Sequence, residues 1–119
     1  MNDKILITIL QNNVAPRFDL TAEVLIVFLN SEGGIDQRKT VVLPSVSPED
    51  LCHLIITEGV TVAICGGIEE EYYQYLTWKK VRVVDSVIGP YEKALQLALA
   101  RRLEPESNLL KQLAEDRTC

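Results

Sequence analysis

Thr61-Val-Ala-Ile-Cys65-Gly66-Gly67-Ile68 is the stretch on which the fold turns. A short run rich in β-branched residues ends on a thiol, and two residues without side chains come after it. Glu69-Glu70-Glu71 then opens a helical pattern, with acids where they complement the positive end of a helix dipole. Strand, glycine turn and helix in that order put Cys65, Gly66 and Gly67 at the carboxyl edge of an open α/β sheet, where such sheets bind ligands. The glycines let backbone amides approach a ligand closely. A tight strand-to-helix turn needing a positive φ accounts for the same two residues without any ligand.

On the N-terminal side, Lys4 to Leu10 is continuously apolar and β-branched, as a central strand covered on both faces should be. Gln11 to Asp19 carries Asn-Asn and a proline and reads as a loop, with Asn12 and Asn13 shaping its turn. Glu23 to Leu29 and Arg38 to Leu43 form two strands joined through Asn30-Ser-Glu-Gly-Gly34, a connection short enough for an antiparallel hairpin. Ser47-Pro48-Glu49-Asp50 is a helix start, with an N-cap serine, proline at the first helical position and acids in the first turn. Leu51, Leu54 and Ile55 give that helix its buried stripe, and Gly59 ends it. The next helix, Glu69 to about Lys79, turns Tyr72, Tyr75 and Leu76 to one face. A strand over 81–84 comes after it. Gly89-Pro90 opens a last helix with Tyr91, Leu95, Ala98 and Leu99 inward, and Arg101 and Arg102 against its negative end. Hairpin first, then alternating helix and strand, makes an α/β domain with a mixed five-stranded sheet. The expected domain is 1–104, with 105–119 a C-terminal tail or short peripheral helix after Pro105.

The 119 residues suffice for one core without staples, and the formal net charge of −5 disfavours sequence-independent nucleic-acid binding. No apolar run approaches a membrane span, and Met1-Asn-Asp-Lys leads into a strand instead of a signal sequence. Cys52, Cys65 and Cys119 are odd in number and form no CxxC pair, so free thiols in a reducing cytoplasm are expected.

Cys65 offers a soft thiolate ligand for iron, copper or a mixed cluster, its pKa lowered by the helix after it. The alternative is a small buried hydrophobe closing a strand. Cys52 and His53 resemble a ligand pair, but adjacent helix positions diverge by about 100°. With Leu51, Leu54 and Ile55 inward, Cys52 lies on the flank and His53 faces solvent. Arg17, between Pro16 and Phe18, shares the sheet edge with Cys65 if their strands are parallel neighbours. There it either supplies positive charge to an anionic ligand or pairs with Asp19 or Glu23. Trp78 and Tyr73 fall off the buried stripe, as a partner surface or a core flank. Cys119 has no assigned role. The Lys4–Leu10 strand carries no carboxylate for a two-metal nuclease, and the only histidine lies on an outward helix face without a nucleophile. Catalysis is not expected.

The loop Val14-Ala15-Pro16-Arg17-Phe18-Asp19, the strand Val24 to Val27, the turn Ile64-Cys-Gly-Gly-Ile68 and the helix Tyr91-Glu92-Lys93-Ala94-Leu95 occur in a familiar order. Over about residues 4–103 the chain resembles the dinitrogenase iron-molybdenum cofactor biosynthesis family, the nitrogenase accessory-factor domain. The resemblance implies a ribonuclease-H-like fold, three-layer α/β/α, with strand two antiparallel to the others. It also implies a non-enzymatic protein that binds or delivers an iron-sulfur or molybdenum-containing cluster. Arg17, Cys65, Gly66 and Gly67 would bind it, with Cys65 as metal ligand. Partners would be cluster-assembly or cluster-acceptor proteins, and a homo-oligomer is compatible with this. Many relatives carry a glycine- and histidine-rich segment before the first helix, whereas Leu43 to Glu49 has neither residue. Glu69-Glu70-Glu71 stands where relatives place glycine, proline or small residues. A cluster-free interaction or regulatory domain of the same fold is the alternative.

Overall fold

The computed structural model describes residues 3–101 and 103–110. Cys119, Arg102 and most of the expected tail therefore lie outside the described residues. Six strands form one mixed sheet: β1 (Lys4–Leu10), β2 (Asn13–Val14), β3 (Glu23–Leu29), β4 (Ile35–Val42), β5 (Val62–Ile64) and β6 (Arg82–Val84). The helices are α1 (Pro48–Thr57), α2 (Glu70–Trp78) and α3 (Tyr91–Leu99), and Phe18–Leu20 makes a 3-10 turn. Five strands run in the order β4-β3-β1-β5-β6, while β2 pairs with β1 off that path. β5 is parallel to β1 and β6 parallel to β5, whereas β3 is antiparallel to β1.

The sixth strand corrects the five-strand expectation. Gln11 adopts φ +57, and the chain doubles back so that Ile9 faces Val14 and Leu10 faces Asn13. The Asn-Asn signal marks a turn as expected, but burial of Val14 makes Asn13–Val14 a short hairpin arm. β4 also starts earlier than Arg38, at Ile35. It is an edge strand with almost every side chain exposed, and Arg38 and Lys39 in its middle discourage pairing with other chains.

Both faces of the central strand are covered, which is why it is apolar from Ile5 to Leu10 except at Thr8. Ile5, Ile7 and Ile9 share one core with Leu25, Val27, Ile64 and Val84, closed by Ala94 and Leu95 of α3. Leu6 faces the other core with Val24, Ile26, Ala63 and Val83, closed by Leu51 and Ile55 of α1 and Leu76 of α2. Period-two alternation thus feeds two cores. Beyond α3 the chain returns to the first core through Leu103 and Leu109.

α1 begins as its sequence requires, with the Ser47 hydroxyl accepting from the Asp50 amide at 3.2 Å. It ends at Gly59, φ +70, where Gly59 N–H reaches Ile56 O and Val60 N–H reaches Ile55 O, a Schellman pair. α2 ends in the same bonding pattern, but with Lys80 at φ +67 in the glycine's place. Tyr75, expected inward, is 40% exposed; Leu76 alone of α2 is fully buried. Ala98 and Leu99 are partly buried, and Ala94 supplies the inward contact. Arg101 lies beyond α3 at φ +58, so the last turn of α3 carries no basic residue.

Thr8 interrupts the apolar run of β1. It is fully buried, and its hydroxyl finds no hydrogen-bond partner among the described residues. An unsatisfied buried hydroxyl is a cost that a methyl of the same shape removes. Thr8→Val should therefore raise the unfolding free energy by about 1 kcal/mol in urea titration; a loss of stability would show that the hydroxyl is satisfied in solution.

Candidate functional site

β1, β5 and β6 end at one edge of the sheet, and their outgoing loops are bonded to one another there. Gly67 N–H donates to Pro16 O at 2.8 Å, and Phe18 N–H donates to Gly67 O at 2.8 Å. Ser86 N–H reaches Gly66 O, Val87 N–H reaches Cys65 O, and Val14 N–H reaches Gly89 O. Neither glycine of the pair adopts positive φ, and only Gly66 is needed, for a steric reason. A Cβ on Gly66 would collide with the carbonyl oxygens of Ala15 and Pro16 and come within 2.6 Å of the Pro16 carbonyl carbon. On Gly67 it would meet Pro16 O at an ordinary 3.6 Å. The backbone approach anticipated at this turn is therefore made by the protein's own Ala15-Pro16 segment. Since the Gly67 amide is already engaged, it is not free to hold an anion.

Cys65 follows β5 and is 1% exposed, a member of the second core with Leu6, Phe18 and Ala63. Burial, with Asp85 and Cys52 adding to it, pushes its thiol up to about 12. It is a protonated core thiol at neutral pH, in contrast to the low-pKa ligand that a helix terminus alone would create. Cys52, on the same core, is pushed to about 11 by burial and then by Glu49. Both cysteines are free.

Arg17 lies beside Gly67 across a parallel bridge, so the structure brings these two sequence candidates together. Its guanidinium is exposed and grips Asp19 through two bonds, Nε to Oδ1 at 3.0 Å and Nη2 to Oδ2 at 2.5 Å. Phe18 beneath it is buried and stacks on Tyr72 with centroids 6.2 Å apart. Two hollows of about 210 and 370 Å³ adjoin this loop and share Leu10 and Pro16 as their common wall. Arg17 and Leu20 line the smaller, Ile88 and Leu110 the larger, and all three of these apolar side chains, like Leu10, are more than half exposed. Sequence reading missed this rim, because a terminal strand leucine looks the same whether it faces core or solvent.

His53 is exposed on α1 and Trp78 is 73% exposed on α2, while Tyr73 is half-buried. Cys52 and His53 both line a groove between α1 and α2, though from diverging positions. Among the described residues, no group of three or more His, Cys, Asp or Glu side chains is placed to hold a metal ion. No helix among them is long and apolar enough to cross a membrane.

No family model and no curated protein matches the sequence. Solved structures do match. PH0822 shares 19% identity at TM-score 0.75, over 86% of this chain and 95% of its own. MJ0327 from Methanocaldococcus jannaschii, named as a candidate dinitrogenase, shares 24% identity at TM-score 0.70, over 91% of this chain and 98% of its own. The apo form of the orange protein from Desulfovibrio gigas shares 16% identity at TM-score 0.69, over 88% of this chain and 93% of its own. At these identities the likeness establishes a common fold.

Two measurements check this geometry. Gly66→Ala should cost about 3 kcal/mol or more, since backbone must move, while Gly67→Ala should cost under about 1 kcal/mol. Equal losses in denaturant titration would refute the close approach at Gly66. The second is pH dependence. Folded Cys65 and Cys52 hold their protons to about 12 and about 11, against 9.0 for the free thiol. Above that free-thiol value the folded chain binds more protons than the unfolded one, so stability falls as pH rises, by about 1.4 kcal/mol per unit for each thiol in its own window. Cys65→Ala should flatten the fall measured from pH ~8.5 to ~10.5; an unchanged slope would place the thiol in contact with water.

Proposed function

We propose that this chain is a non-enzymatic metallocluster-handling protein. Its cargo, an iron-sulfur or iron-molybdenum type cluster, would rest at the carboxyl edge of the sheet beside Arg17 and Gly67, for exchange with cluster-assembly or cluster-acceptor proteins. The observation that carries this reading is the pair of apolar hollows meeting at Leu10 and Pro16, with Arg17 lining the smaller of them. A bulky polarizable anion suits an apolar basin edged by one delocalised cation, and the exposed Arg17 guanidinium would exchange its Asp19 partner for it at modest cost. The ribonuclease-H-like layering implied by the family resemblance supports the same reading, as does a common fold with a protein named for dinitrogenase.

The donor set fits shape and charge recognition of a cargo and does not fit thiolate ligation. Cys65 is sealed and protonated, and the Gly67 amide is engaged. Of the residues named from sequence, Arg17 is the one whose charged end is free to reach solvent. A non-catalytic role agrees with a β1 that bears no carboxylate and with a His53 that is exposed on α1.

A cluster-free interaction module is the second reading. It is favoured by the acids Glu49, Asp50, Glu69, Glu70 and Glu71 at the first turns of α1 and α2, which disfavour an anion nearby. Anaerobic reconstitution with iron and sulfide, followed by absorption spectroscopy, separates the two. The wild type and Cys65→Ala should take up chromophore equally, and Arg17→Ala should lose about tenfold in affinity. Loss in Cys65→Ala alone would restore thiolate ligation, and no uptake by the wild type would leave the interaction module.

A further inference from the structure

The second helix pair presents a different surface. On α1, Glu49, Cys52 and His53 stand at i, i+3 and i+4, and on α2, Glu71, Tyr72 and Tyr75 face them across a groove of about 410 Å³. Tyr72 OH donates to Glu49 Oε1 at 2.8 Å, and this bond holds the Glu49 carboxyl below its ordinary range, hence ionised. Phe18 backs the Tyr72 ring from the core side. Cys52 is 4% exposed, and its thiol makes no hydrogen bond to the described residues. Tyr75 and Trp78 continue the wall outward with ring centroids 6.4 Å apart.

Among the described residues, the acids of this surface take part in no ion pair. The ion pairs among the described residues engage Asp19, Glu92 and Glu58. None reaches Glu49, Asp50, Glu69, Glu70 or Glu71. Helix dipoles explain why acids are tolerated in these first turns. They do not explain a 40%-exposed tyrosine lining the groove, or the 73%-exposed tryptophan one turn further along α2. The aromatic pair already attracts one cation, since Lys79 Nζ lies 4.9 Å from the Trp78 ring centroid and 5.8 Å from that of Tyr75.

We propose that the α1–α2 groove docks a basic, leucine-bearing segment of a partner protein. An arginine or lysine of the segment enters between Glu49 and Glu71 against the Tyr72 and Tyr75 rings, and an apolar side chain rests on Trp78. Charge complementarity selects this occupant: the groove offers carboxylates and π-faces together, the combination that binds guanidinium and ammonium groups. None of these residues belongs to the Arg17 rim, so this surface stands or falls independently of cluster handling.

Trp78 is the only tryptophan, so its emission reports binding directly. The full chain is titrated at low salt with acetyl-Leu-Arg-Leu-Arg-Leu-Arg-amide and, separately, with its Leu-Glu counterpart. The Arg peptide should shift Trp78 emission saturably and move the Cys52 and His53 amide resonances, and the Glu peptide should do neither. Glu49→Gln with Glu71→Gln should weaken binding about tenfold or more, while Glu104→Gln with Glu106→Gln, an equal change in net charge elsewhere, should alter it less than about twofold. Amide spectra of each variant establish that it is folded. Equal weakening in the two double variants would mean attraction by net charge alone and would overturn the proposal. So would the absence of a saturable shift, or equal binding of the Glu peptide.

Discussion

There is no room for a methyl group on Gly66. The Ala15-Pro16 backbone crosses directly over it, so the loop leaving β1 and the turn leaving β5 must be placed together or not at all. That crossing brings with it the Pro16–Gly67 and Gly67–Phe18 hydrogen bonds. They aim Phe18 into the second core, where it stacks on Tyr72 and so fixes the first turn of α2. Tyr72 in turn reaches Glu49 and sets α2 against α1. On the other side of the same loop, Val14 bonds to Gly89 and Tyr91 to Asn12, which seats the start of α3. One steric constraint at the carboxyl edge thus orients helices on both faces of the sheet.

The features legible in the sequence are local in origin. The β1 and β3 spans, the Ser47-Pro48 cap and the Gly59 stop depend on neighbours within a few residues, and each stands in the structure as its chemistry requires. The antiparallel hairpin is legible too, since a short turn between two strands leaves little choice. β2 is not, because two residues give no period to read; Val14 becomes a strand only because Ile9 is there to pair with it. Tyr75 suits the inward stripe by angle, yet the groove between α1 and α2 leaves that side of the ring open. Arg101 suits a helix end by charge, yet the chain leaves that helix before reaching it.

At the candidate site the same division holds. Gly66 stands out in the sequence, and its neighbour across the turn, Arg17, is placed at the right edge by the parallel pairing of β1 and β5. The reason for the glycine lies in a residue about fifty positions away, which no local pattern encodes. For Cys65, two opposed effects compete. A helix terminus lowers a thiol pKa, and burial raises it. Which one wins depends on how deeply the second core encloses the thiol, and here burial wins by a wide margin.

The charges of the molecule are sorted in a way that bears on function. The exposed guanidinium of Arg17 sits with apolar rim residues where the three parallel strands end. The acids of α1 and α2 gather beside aromatic rings in the helix groove. Phe18 and Tyr72, stacked with ring centroids 6.2 Å apart, lie between the two regions. The two surfaces thus differ in what they attract, one offering a cation among apolar side chains and the other carboxylates among rings, and they share a boundary at that aromatic pair.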